Sequence, residues 1–88
     1  MKSIEVTVTI VQGVFFRAST FEKAASLGIK GWVKNSPDVS VLIRAEGKEE
    51  NISKLLDWCK IGPENARVKN VLVKETAFEN FGEFKVLR

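Results

Sequence analysis

Ser3-Ile4-Glu5-Val6-Thr7-Val8-Thr9-Ile10-Val11-Gln12-Gly13-Val14-Phe15-Phe16-Arg17 begins in one periodicity and ends in another. Ile4, Val6, Val8 and Ile10 fall on one side of an alternating run, with Glu5, Thr7 and Thr9 on the other. That is the pattern of a half-buried strand over residues 3–10. Gln12-Gly13 breaks the alternation. From about Phe16 the spacing becomes helical: Phe21, Ala24, Ala25 and Gly28 follow i, i+3, i+4, i+7, with Leu27 adjoining. Gly28 stands where a left-handed residue would end the helix.

Outward from this strand–helix pair, residues 29–34 read as a second strand and Asn35-Ser36-Pro37-Asp38 as a turn. Residues 39–45, rich in β-branched side chains, read as a third strand ended by Gly47. Ile52, Leu55, Leu56 and Cys59 then form the apolar stripe of a second helix. Ile61-Gly62-Pro63 closes it, since glycine can end a helix and proline cannot continue one. Residues 68–74 alternate as a fourth strand, 75–82 form a polar loop carrying Phe78 and Phe81, and 83–87 can make a short fifth strand. The order β-α-β-β-α-β predicts a ferredoxin-like α/β (α+β) sandwich, an antiparallel sheet with two helices on one face. Residues 1–88 suffice for one domain and not for two cores.

Composition narrows the chemistry. Fourteen Lys+Arg against eleven Asp+Glu give a charge of +3, which suits an anionic partner without demonstrating nucleic-acid binding. The absence of histidine removes Ser-His-Asp and Cys-His catalysis and every His-ligated metal site. A lone Cys59 leaves no internal disulfide and no thiolate cluster. No apolar run approaches the roughly 18 residues of a membrane span, and nothing at Met1-Lys2-Ser3 resembles a signal peptide. The expected location is cytoplasmic, with no membrane contact.

The segment Val11-Gln12-Gly13-Val14-Phe15-Phe16-Arg17 joins the strand end to the helix start. A helix N-terminus offers unpaired N–H groups at the positive end of its dipole, and a glycine just before it lets several amides converge on an anion. Arg17 in the first turn would add a planar fork matching two phosphate oxygens. Spacing alone does not separate such a site from a solvated arginine at a helix start.

Val11-Gln12-Gly13-Val14-Phe15-Phe16-Arg17 resembles the first signature of the acylphosphatase family, and Gly31-Trp32-Val33-Lys34-Asn35 its second. The similarity continues through Leu27-Gly28, Val41, Glu46-Gly47, Gly62-Pro63, Ala66-Arg67-Val68 and Phe84, in order and spacing. The resemblance implies a small, cofactor-free, metal-independent hydrolase that splits acyl phosphates into carboxylate and inorganic phosphate. It implies that Arg17 binds the phosphate beside the amides of Gln12, Gly13, Val14, Phe15 and Phe16, that Asn35 holds the attacking water, and that Ser36 supports the loop. Its partners would be a small acyl phosphate and inorganic phosphate, with no nucleic acid, and the chain would be a monomer. The chemistry agrees with the missing histidine: a carboxylate leaves readily, and phosphoryl transfer asks for positioning and charge stabilisation. Asn offers both a donor and an acceptor to water and no charge to repel phosphate.

Two positions depart from the family pattern, Thr9 and Val39, where glycines are usual. Other residues read structurally: Cys59 as a buried hydrophobe, Phe15 and Phe16 as packing that holds the loop in preference to stacking on a ligand, Trp32 and Trp58 as packing residues at the sheet edge and the helix surface, Asp38 and Glu46 as solvated. The competing reading is a non-catalytic phosphate- or RNA-binding module, the latter with Ser40, Leu42 and Arg44, or Glu5, Thr7 and Thr9, on the exposed face. No aromatic run suited to base stacking appears there.

Overall fold

In the computed structural model, which describes residues 1–12, 15–37, 40–63 and 66–87, the elements keep the expected order. They are β1 (Lys2–Gln12), α1 (Phe16–Ser26), β2 (Lys30–Asn35), β3 (Ser40–Gly47), α2 (Glu49–Ile61), β4 (Arg67–Glu75) and β5 (Phe84–Val86). The strands form a single sheet in the order β4-β1-β3-β2-β5. The β1–β3 register sets Ile4 opposite Ala45, Val6 opposite Ile43 and Val8 opposite Val41, so one sheet face is continuous hydrocarbon. Phe16 and Ala24 of α1 and Ile52, Leu55 and Cys59 of α2 are buried on that face with Val33. Among the described residues, no helix is long and apolar enough to cross a membrane.

The helix ends obey their sequence signals. Gly28 adopts φ 68°, and its N–H and that of Ile29 donate to the carbonyls of Ala25 and Ala24 at 3.1 and 2.9 Å. These two bonds satisfy the last carbonyls of α1 in a Schellman arrangement. Gly62, with φ 76°, donates to the Trp58 carbonyl at 2.7 Å and closes α2. Glu49 and Glu50 place negative charge in the first turn of α2, where the helix dipole favours it.

Four expectations need correcting. The buried line of α1 is Phe16, Thr20 and Ala24, with Leu27 half-buried, and Phe21 and Ala25 lie outward. Thr20 enters the core because its hydroxyl donates to the Phe16 carbonyl at 2.8 Å, so no polar group is left unmet. Second, the sheet is mixed, because β5 runs parallel to β2. β4 ends where β2 begins, so a chain crossing from there to the far edge starts its next strand in β2's direction.

The third correction concerns Trp32. Flanked by β3 and β5, where it faces Arg44 and Lys85, it lies one strand in from the edge, with Lys34 Nζ 5.2 Å over its ring. The fourth concerns Glu46, which is 4% exposed instead of solvated. The crossing chain 76–83 passes over Ser3, Arg44 and Glu46 and buries all three. Glu46 accepts the Ser3 hydroxyl at 3.0 Å and the N–H groups of Glu79 and Phe81 at 2.7 and 3.2 Å. Arg44 Nη2 donates to the Ala77 carbonyl at 3.1 Å and lies 3.8 Å from Glu46 Oε2, while its guanidinium carbon lies 5.3 Å from the Phe81 ring centroid. Burial alone would raise the Glu46 pKa, but the amides of Glu79, Phe81 and Asn80 and the Ser3 hydroxyl outweigh it and hold the carboxyl below its ordinary value.

Candidate functional site

The opposite end of the sheet, where β1 and β2 finish and α1 begins, carries the site. β1 loses regular register against β4 between Thr9 and Ile10 and again between Ile10 and Gln12, so Ile10 faces Val68 and Gln12 faces Arg67. Such an irregularity bends a strand and re-aims the residues beyond it. Gly13 and Val14 lie outside the described residues, and of Gln12 only the strand pairing enters here.

The chain arrives at α1 through Phe15, which occupies the N-cap position with φ 60° and ψ 27° and makes no side-chain cap. A bulky residue in the left-handed region costs about 1–3 kcal/mol. The first turn of α1 contains no acidic residue. Ser19 N–H is bonded to the Phe15 carbonyl at 3.0 Å, so the amides ahead of it, at Phe16, Arg17 and Ala18, have no partner within the helix. Phe16, 4% exposed, fastens this turn to the core with its ring 5.4 Å from that of Trp58. Trp58 is half-buried packing on the helix, in keeping with its reading from sequence. Gly62 backs onto the same ring, for a Cβ there would come within 3.3 Å of Phe16 Cε2.

Arg17 comes directly after the fastened phenylalanine, and its Nη1 donates to the Leu87 carbonyl just beyond β5 at 3.0 Å. Leu87 N–H is itself bonded to the Val33 carbonyl at 2.8 Å, so β2 holds the group that holds Arg17. Asn35 is the last residue of β2, on the same side as Gly31 and Val33, opposite Val41 of β3. Ser36 N–H donates to the Ser40 carbonyl at 2.9 Å, closing the hairpin beside it.

Arg17 and Asn35 line one open pocket of about 330 Å³ together with Phe15, Phe16 and Ala18 of the helix start. Ile10, Val41 and Val86 complete its wall. Among the described lining residues Arg17 is the one charged side chain. The structure thus brings Arg17, Asn35, Phe15 and Phe16 together, with Ser36 in the supporting hairpin. Phe15 is a correction: at 79% exposed it does not pack the core but rims the pocket. Thr9 pairs with Ser40 and Asn70 on the sheet face turned away from the pocket, so this departure does not line it. Val39 and Asp38 lie outside the described residues.

Val86 and Leu87 were not singled out as site residues by sequence. Leu87 acts through a backbone carbonyl, which leaves no trace in residue type. Ile10 and Val41 carried only the alternation of their strands.

The acylphosphatase family model matches residues 4–86 of the chain. An acylphosphatase of Methylococcus capsulatus is 49% identical over 90 residues, covering all of this chain and 98% of that protein. Among solved structures, an acylphosphatase from Coxiella burnetii superposes with a TM-score of 0.92 at 41% identity, over 98% of this chain and 92% of that one. The acylphosphatase from Bacillus subtilis does so with a TM-score of 0.94 at 31% identity over the whole of both chains. With the two signature segments meeting at one pocket, these likenesses settle the matter: the chain belongs to the acylphosphatase family.

Proposed function

We propose that Arg17, the amides at the start of α1 and Asn35 carry out the hydrolysis of acyl phosphates that membership of the acylphosphatase family entails. The observation that supports this division of labour is that Arg17 and Asn35, from different elements, line one pocket with the helix N-terminus. Arg17 and the amides of Phe16 and Ala18 take the phosphate oxygens, where dipole and guanidinium both favour negative charge. Gln12, Gly13, Val14 and Phe15 contribute amides from the segment before the helix. Asn35 holds a water for attack on phosphorus, and its proton passes to a phosphate oxygen as the carboxylate leaves. Ser36 steadies the hairpin carrying Asn35.

No bound metal is required: the chain has no histidine, and the described lining residues include no thiolate or carboxylate to hold one. We take the protein to be a cytoplasmic monomer with no nucleic-acid partner. Ser40 and Arg44, two of the residues that would face an RNA, are buried.

Replacement separates the two roles. Arg17→Ala is expected to raise the inhibition constant of inorganic phosphate by about 10- to 100-fold and to slow turnover as well. Asn35→Ala is expected to lower kcat by about 10²–10³ while phosphate inhibition stays within about two-fold of the parent. Steady-state kinetics with benzoyl phosphate, after circular dichroism confirms the fold, decide it. Normal turnover in Asn35→Ala with loss of phosphate inhibition would reverse the assignments.

A further inference from the structure

The polar groups of the pocket account for the phosphate and the water, and they leave Phe15 without an explanation. Its position is one where Ser, Thr, Asp or Asn would cap the helix. The phenylalanine caps nothing, stands in a left-handed conformation and keeps 79% of its surface in solvent. Neither helix capping nor core packing calls for an aromatic ring there. Phe15 does line the pocket, with Ile10, Val41 and Val86 as apolar neighbours in the lining. Val86 is also an exposed hydrophobe, on the edge strand β5.

A cavity of about 330 Å³ exceeds the need of a phosphate and one water, each water taking roughly 30 Å³. Apart from Arg17 and Asn35 the lining side chains are apolar, and Arg17 is the one cation among the described lining residues. A second carboxylate on the acyl group would find no counter-charge but Arg17 among the described lining residues, and would lie near the phosphate's own charge.

Resting on the assignment of the phosphate to Arg17 and the α1 amides, we propose that Phe15 and Val86 form an acyl subsite selecting acyl phosphates with aromatic or branched apolar acyl groups. Short or acidic acyl groups are disfavoured. The ring packs against the acyl group, and because that group stays in place as the carboxylate forms, the contact contributes to substrate and transition-state binding alike.

The test compares benzoyl, acetyl and succinyl phosphate as substrates of the parent, Phe15→Ala, Phe15→Leu and Val86→Ser. The readout is the benzoyl-to-acetyl ratio of kcat/KM in each variant relative to the parent, so the intrinsic reactivities of the two mixed anhydrides cancel. Phe15→Ala is expected to lower that ratio about ten-fold, mostly through KM for benzoyl phosphate, with Phe15→Leu restoring part of it. Val86→Ser is expected to lower it by about three-fold. The parent should handle succinyl phosphate less well than either of the others.

An equal loss on benzoyl and acetyl phosphate in Phe15→Ala would overturn the subsite and leave the residue a purely conformational part of the loop. An unchanged ratio in both Phe15→Ala and Val86→Ser would overturn it as well. The underlying phosphate assignment fails separately, through unaltered phosphate inhibition in Arg17→Ala.

Discussion

Gly31 and Glu46 stand at the end of the sheet remote from the pocket, and each is decided by a neighbouring chain. Gly31 has φ 143°, its N–H donates to the Glu83 carbonyl at 3.0 Å, and a Cβ on it would run into the Arg44 carbonyl of β3. Gly31→Ala is therefore expected to cost at least about 2 kcal/mol in urea unfolding, from backbone strain and overpacking together. A loss below about 0.5 kcal/mol, the range of an ordinary surface change, would refute that close approach. Residue type told part of this in advance: the glycine was quoted as part of a signature, but its reason lies in β3. Glu46 was read as solvated because nothing in its own strand reveals that residues 76–83 will cross above it. Phe15 and Phe16 were both read as packing because spacing does not show which is the N-cap. Only the left-handed turn at Phe15 separates a buried ring from an exposed one.

At the scale of elements, periodicity located each strand and helix, and it located α2's stripe correctly because Ile52, Leu55 and Cys59 are strongly apolar. It placed α1's stripe wrongly because the buried line runs through Thr20, whose hydroxyl bonds backward within the helix. β5 was the least legible element, three residues long and defined by its partner. Its contribution to the site is nevertheless specific. Parallel pairing carries Leu87 past Val33 and sets its carbonyl against Arg17. Ending the chain after Val86 removes that carbonyl. It is expected to raise the phosphate inhibition constant by about five- to ten-fold, the scale of one charge-assisted hydrogen bond, and to leave the circular dichroism spectrum unchanged. Unaltered phosphate inhibition in a folded truncated protein would show that Arg17 is placed without β5.

For the molecule as a whole, two buried groups bound the pH range of stability, one on each side. The Glu46 carboxyl is held below its ordinary value when folded. The unfolded chain therefore binds a proton more readily, and the stabilisation is complete above the unfolded pKa and lost as pH falls through the folded one. The Cys59 thiol behaves oppositely: burial among α2's core residues raises it from 9.0 to about 12. Its folded form keeps the proton over a range in which the unfolded thiol ionises, so stability declines as pH rises from about 9 to about 12. With no histidine in the chain, no imidazole titrates between these limits. Melting temperature is thus expected to be flat between about pH 6 and 8, to fall in acid and to fall again above about pH 9. Glu46→Gln separates the acid limb. It should lower the plateau by about 1–3 kcal/mol, since Arg44 loses its buried counter-charge, and it should also flatten the acid fall. If the acid limb of Glu46→Gln kept the parental slope, the crossing chain's hold on this carboxylate would not be what acid breaks. The same burial predicts that iodoacetamide leaves Cys59 unmodified in the folded protein at neutral pH and reacts only after denaturation, because both the thiolate and the access it needs are withheld.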